Sequence, residues 1–202
     1  MYKLTVSEEW DSISPKDLWV YNKLQLSQVC GYTCGPAGLE VPSPGFYIVR
    51  PSMNFMGMGR YARKEYLSNS TEHLHPGEFW CEIFEGQHKS IDYHWGDCSL
   101  VVYGLKSAET YYKWDKWEAI NEEIPLSPVL NNFKSRYEWI NIETIGDKLI
   151  EVHFRPNADF RYGNTVAIPI WDKVPEVIPK GYRYIDDDDF YRKGFLINGG
   201  FT

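Results

Sequence analysis

Apolar residues in this chain come in short runs broken by Gly, Pro, Asn and Asp, with one helical stretch near the start. Leu18, Leu24 and Val29 follow Ser14, a capping residue, and Pro15, which suits a first turn. They predict a helix over residues 15–31, closed by Gly31 and then by Gly35 and Pro36. A loop containing Pro42, Pro44 and Gly45 leads to a strand over residues 46–50, stopped by Pro51. Residues 52–60 read as a flexible segment carrying Gly57 and Gly59. Strands are predicted over 78–84 and 88–95, joined at Glu85 and Gly86, and over 99–105. A short helical piece is expected over 114–120. A hairpin follows, 137–145 and 148–154 about a Gly146–Asp147 turn, then a strand over 166–170 and loops to the end. No internal repeat or low-complexity linker interrupts the order. Strands outnumber helices in mixed order, which predicts an α+β chain and not a regular βαβ array.

A chain of 202 residues suits one large domain or two lobes sharing a core, and a hydrophobic content of 43% can fill it. Aromatic residues reach 16%, with 8 Trp and 15 Tyr, which argues against disorder and fits a chain that encloses something flat. Small-core filling explains the same density. The net charge of −7 leaves no basic stripe for nucleic acid. Asp186, Asp187, Asp188 and Asp189 lack the glycine spacing of a calcium loop and read as a solvated run. Cys30, Cys34, Cys81 and Cys98 read as reduced structural thiols, since Cys30 and Cys34 have no matching pair for zinc. No secretory leader or membrane-length apolar run stands out, so a cytoplasmic protein is expected.

Three stretches carry candidate chemistry. Arg50 sits at the end of a strand before the Gly57 and Gly59 loop, and a fixed cation beside free backbone N–H groups suits a polyphosphate. Surface arginines and ordinary turns look the same. Residues 80–92, including Glu82, Ile83, Phe84 and His88, put two strands at a polar turn where backbone groups can meet an adenine edge. An ordinary hairpin reads identically. In the third stretch, Glu143 and Glu151 lie on neighbouring strands of a tight hairpin and share a face, given a one-residue adjustment at the turn. His153 falls on that face too, two residues beyond Glu151. Two carboxylates and an imidazole suit a cation site, and a solvated sheet face explains them as well.

Taken in order, these stretches resemble the ATP-grasp superfamily across residues 20–160. Tyr21-Asn22-Lys23-Leu24, Gly31 and Val41-Pro42 resemble its opening, and Ile48-Val49-Arg50-Pro51 its "I-V-K-P" strand before a glycine loop. Glu82-Ile83-Phe84-Glu85-Gly86 resembles its adenine-binding hinge, with His88, Ser90 and Asp92 resembling the strand after it. Ile150-Glu151-Val152-His153-Phe154-Arg155 resembles the "I-E-x-N-x-R" metal strand of the biotin carboxylase branch, and Glu143 stands where its other acid does. Arg50 replaces the family lysine, His153 replaces its asparagine, and the hairpin is shorter.

The resemblance implies two lobes of mainly antiparallel sheet clasping ATP: residues 1–77 as the N-terminal segment and small lobe, 78–202 as hinge and larger lobe. It implies Mg²⁺, with Mn²⁺ an alternative, on Glu143, Glu151 and His153. Arg50, Gly57 and Gly59 would position the triphosphate, and Arg155 would meet the transferring phosphoryl group beside Arg50. Glu82, Ile83 and Phe84 would meet the adenine and His88 the ribose or phosphates. The implied reaction activates a small-molecule or peptide carboxylate as an acyl phosphate for capture by an amine. A small-molecule kinase and a non-catalytic nucleotide-binding module are the alternatives. The separate substrate domain of many relatives would come from a partner protein or a second copy, and solitary ATP-grasp proteins of this kind occur in viral genomes.

Overall fold

Asn22 divides the first helical segment in two. Pro15–Tyr21 winds as 3-10 helix and Lys23–Val29 as α-helix (α1), where a single helix was expected. Asn22 is extended, and its Oδ1 accepts a hydrogen bond from the Gln25 N–H at 3.1 Å, which caps α1. The break places Lys23 in the first turn of α1 instead of mid-helix. The computed structural model describes residues 12–53, 59, 61–106, 111–187 and 192–199. No described helix is long and apolar enough to cross a membrane.

Two antiparallel sheets follow. Cys34–Pro36 (β1), Gly45–Pro51 (β2), Arg63–Leu67 (β3) and Glu78–Cys81 (β4) form a four-stranded sheet in the order β1-β4-β2-β3. His88–His94 (β5), Asp97–Leu105 (β6), Lys116–Ile120 (β7) and Trp139–Ile145 (β8) belong to the second sheet. Lys148–His153 (β9), Val166–Ile170 (β10), Tyr182–Asp186 (β11) and Gly194–Asn198 (β12) complete it, in the order β11-β12-β10-β7-β6-β5-β8-β9.

Three expectations change. The strand expected over 78–84 stops at Cys81 in the small sheet, and β5 starts at His88 in the large one, so residues 82–87 cross between sheets and close no hairpin. The segment expected to be helical over 114–120 is strand β7, flanked by β6 and β10. Paired on both sides, it satisfies its backbone in ladders, and local helix preference loses to tertiary pairing. The tail expected to be loop supplies β11 and β12. Asp187, read as solvated, is instead buried against Arg192, which also holds Asp159 through its Nη atoms at 2.6 and 2.8 Å. Asp188 and Asp189 lie outside the described residues.

The core lies on both faces of the large sheet. On one, Ile91, Tyr93, Val101, Ile140, Ile142 and Val152 pack against Val20, Tyr21, Leu26, Leu130 and Phe133. On the other, Val102, Ala167, Phe195 and Ile197 pack beneath Phe160. The small sheet has its own cluster around Val49, Leu67 and Trp80. The four cysteines are free, and burial pushes the Cys81 thiol up to about 12, which keeps it protonated.

Candidate functional site

Strand periodicity builds the site. On the second face, next to the apolar half under Phe160, β5, β8 and β9 turn polar. Ser90 pairs with Glu143 and Glu143 with Glu151; Asp92 pairs with Asn141 and Asn141 with His153. Residues paired across antiparallel strands share a face, so all six point the same way. A bulge between Glu143 and Thr144 permits this: Thr144 pairs with Leu149, and Ile150 drops out of register. This is the one-residue adjustment that the hairpin required.

Each acid on this face has a partner of its own. Glu143 Oε2 lies 2.9 Å from His88 Nε2. Glu151 Oε2 lies 2.9 Å from Lys23 Nζ, and its Oε1 lies 3.2 Å from His153 Nε2. Burial pushes the Glu151 carboxyl up, but Lys23 and His153 more than offset this and hold it well below the usual carboxylate range. Two carboxylates and an imidazole on one sheet face are donors of the kind a divalent cation takes, so the set fits that group in chemistry. Among the described residues, no three His, Cys, Asp or Glu side chains are gathered into a ready cation cluster. The charge on Glu151 is met by an ammonium instead.

Arg50 reaches this face from the small sheet. Its Nη2 lies 3.4 Å from the carbonyl of Ile150, the residue that the bulge releases, and its guanidinium covers Phe79 at 5.2 Å. Burial lowers its pKa, and the nearby Cys81, Glu151 and Glu143 act in the opposite direction. Arg50 Nε is buried and meets no hydrogen-bond partner among the described residues. A buried guanidinium with a donor to spare suits an anion.

A second network fixes the segment after β9. Asp92 accepts the Asn157 backbone N–H on both oxygens at 3.0 Å and the Asn141 amide at 2.7 Å. Ser90 Oγ accepts from the amides of Asn141 at 2.8 Å and Asn157 at 3.1 Å. Burial raises Asp92 to about 6, against the lowering effect of these bonds and of Arg155 nearby. Arg155 is half-buried, two residues beyond β9, with Nη1 3.2 Å from the Pro156 carbonyl.

The crossing segment carries the expected adenine residues. Glu82 is tied down, its N–H donating to the Thr33 carbonyl at 2.9 Å and its Oε1 accepting the Thr33 N–H at 2.7 Å. Phe84 stands edge-on to Tyr32 with centroids 4.7 Å apart, and Ile83 is exposed. Gly86 has φ +118°, and a Cβ there would lie 2.8 Å from Gly146 Cα, so crossing and β8–β9 turn touch backbone to backbone. His88 lies two residues on, with Trp114 and Trp117 edge-on at 4.6 and 5.4 Å. Gly59, with φ +75°, lies against the Tyr111 carbonyl, where a Cβ would come within 3.2 Å. Gly57 lies outside the described residues.

The structure thus sets Glu143, Glu151, His153 and His88 along one sheet face in separate pairs, with Arg50 on the nearby Ile150 carbonyl, and sets Arg155 beside Asp92. Glu82, Ile83 and Phe84 lie along the crossing, and Gly59 abuts the loop between β6 and β7. Sequence reasoning gave no role to Lys23, Asn141 or Asn157. Lys23 carried a signal, a charged residue between Tyr21 and Leu26, both of which are buried. Asn157 carried none, since its bonds depend on how the chain turns after β9.

No protein-family model and no curated protein matches the chain by sequence. Solved structures do match in shape. An L-amino acid ligase from Bacillus licheniformis superposes with a TM-score of 0.53 at 10% identity, over 89% of this chain and 66% of that one. An ATP-grasp superfamily protein from Archaeoglobus fulgidus gives 0.48 at 14% identity, over 89% and 64%. The ATP-grasp ligase PsnB, complexed with a minimal precursor, gives 0.45 at 15% identity, over 73% and 55%. The chain spans less than two thirds of the length of each. At such identities the likeness speaks to fold: the chain has the ATP-grasp fold, α+β, with antiparallel sheets as expected.

Proposed function

We infer that this chain is an ATP-dependent ligase that binds ATP between its two sheets and activates a carboxylate as an acyl phosphate for capture by an amine. The observation that carries this is Arg50. It leaves the small sheet, lies buried with Nε unclaimed among the described residues, and meets the face bearing Glu143, Glu151 and His153 on the large sheet. The L-amino acid ligase that shares the fold is consistent with this reaction class.

Each residue then has a role that its position allows. Arg50 holds the phosphate chain from the small-sheet side, and Arg155 meets charge on the transferring phosphoryl group. The backbone at Ile83 and Phe84 meets the adenine, with the Phe84 ring beside it, and His88 lies on the side of the ribose or phosphates. Glu143, Glu151 and His153 would hold Mg²⁺, or Mn²⁺, which neutralises the β- and γ-phosphates. In the reaction a carboxylate oxygen attacks the γ-phosphorus as the bond to ADP breaks; the amine then attacks the acyl carbon and phosphate leaves.

Thermal unfolding tests the nucleotide first. Binding to the native state alone adds about 2.7 kcal/mol at a hundredfold excess over Kd, so millimolar Mg-ATP is expected to raise Tm by several degrees. Arg50→Ala is expected to weaken ATP binding ~10-fold or more, a loss of about 1.4 kcal/mol, and Arg50→Lys to restore part of it. A melting curve unmoved by Mg-ATP ends the reading. ADP release with a condensed product identifies the ligase, a phosphorylated acceptor a kinase, and binding without ADP release a non-catalytic module.

A further inference from the structure

Cys34 is the first residue of β1 and Cys81 the last of β4, and the two strands place them directly opposite each other. Around this pair the Glu82 N–H donates to the Thr33 carbonyl at 2.9 Å and the Ala37 N–H to the Glu78 carbonyl at 3.1 Å. Hydrogen-bonded pairs alternate along an antiparallel ladder, so Thr33–Glu82, Gly35–Trp80 and Ala37–Glu78 take the bonded positions. Cys34–Cys81 and Pro36–Phe79 take the open ones, which suits Pro36, since it has no N–H to give. In an open pair the Cα atoms approach to about 4.5 Å and the side chains share a face. A disulfide spans roughly 4.4–6.8 Å between Cα atoms. The register is fixed on either side of the pair. Glu82 Oε1 accepts the Thr33 N–H at 2.7 Å, and on the opposite face the Trp80 ring lies so close over Gly35 that a Cβ there would come within 2.6 Å of it.

Ile48 pairs with Cys81 and Arg50 with Phe79, so both thiols stand on the sheet face that carries Arg50. Burial raises both thiols, and the Arg50 guanidinium works against it at each. Cys34 is half-buried and can meet a small oxidant, whereas Cys81, 1% exposed, is shielded from solvent. We propose that Cys34 and Cys81 are a redox-sensitive pair, closed to a disulfide by a peroxide. With hydrogen peroxide, Cys34 Sγ attacks one oxygen, the O–O bond breaks, and a sulfenic acid and water result. Cys81 Sγ then attacks the sulfenic sulfur; the S–S bond forms, the S–O bond breaks, and the hydroxyl leaves as water with the Cys81 proton. Each sulfur gives up one electron and the peroxide takes both. The bond joins the first residue of the small sheet to its last, and it steadies the sheet by restricting residues 34–81 in the unfolded chain. None of this depends on a bound nucleotide.

Hydrogen peroxide, added in slight excess to the reduced full chain, tests this. The intact mass is expected to fall by two hydrogens, and a non-reducing peptide map to give one linked species, Cys34 with Cys81. Tm is expected to rise by several degrees and to return on adding dithiothreitol. Cys34→Ser, at a half-buried position, should form no link and show no rise. Cys81→Ser should do the same, with Cys81→Ala as a second variant should the first fold poorly. Cys30→Ser and Cys98→Ser should keep both the link and the rise. A link through Cys30 or Cys98 overturns the pair, as does oxidation that stops at sulfenic or sulfinic acid on Cys34. A Cys34–Cys81 link that leaves Tm unmoved or lowers it overturns the steadying of the sheet. A chain that keeps all its thiols reduced under peroxide overturns both.

Discussion

Asp92 is a carboxyl that ionises late. Burial raises it to about 6 in the folded chain, above the roughly 3.9 of an unfolded aspartate. A raised folded pKa means that the native state binds the proton more tightly. The stability this contributes is whole below the unfolded value and is lost as pH rises through about 6. Glu151, held low, runs the other way, and its contribution falls as the solution turns acid. Asp92→Asn keeps an acceptor for the Asn157 N–H and removes the titration. Between pH 4 and pH 7, its stability relative to the parent is expected to improve by about 2–3 kcal/mol in urea unfolding. A difference that stays flat with pH would mean that Asp92 is ionised throughout. Much at this scale was written in the chain. Glu143, Glu151 and His153 follow from a period of two, and only the bulge had to be supposed. Lys23 did not follow, because its importance lies in a contact 128 residues away, with Glu151.

Elements were legible where the local pattern matched the final partner. The strand β10 falls on its predicted residues, and the β8–β9 hairpin turns at Gly146 as expected. The segment 78–95 was ambiguous for a physical reason. Two strands joined by a polar link look alike in sequence whether they pair with each other or belong to different sheets. Strand β7 was misread because it is only five residues long, and the alternation of Lys116, Trp117, Glu118 and Ala119 is too short to decide between strand and helix. The crossing gives a prediction of its own. At Gly86 an added Cβ would strike Gly146 Cα at φ +118°, so Gly86→Ala must move either the crossing or the hairpin turn. It is expected to cost about 1–3 kcal/mol and to weaken ATP binding, because Phe84 and Glu143 are displaced relative to each other. Unchanged melting and affinity would show that the crossing adapts without cost.

At the scale of the molecule, the order of motifs conveyed the fold well before any pairing was known. The tail escaped, because β11 and β12 are placed by pairing onto β10, and Arg192 is held by Asp159, contacts that no local pattern announces. One consequence lies in how the small sheet is attached. The chain enters it after Thr33 and leaves it at Glu82, and those two residues are joined reciprocally, N–H to carbonyl and carboxylate to N–H. The four-stranded sheet is therefore a loop with its ends pinned together, an insert carried on a double stalk. Such a unit can open as a whole once the Arg50–Ile150 and Lys23–Ser52 hydrogen bonds part, which makes it a natural cooperative unit of exchange. Amide hydrogens of β2 and β4 should exchange through one shared opening, of lower free energy than that protecting β5 and β8. A nucleotide clasped between the sheets should slow the first group far more than the second. If both groups exchange together with and without ATP, insert and host unfold as one body, and the stalk has no independent motion.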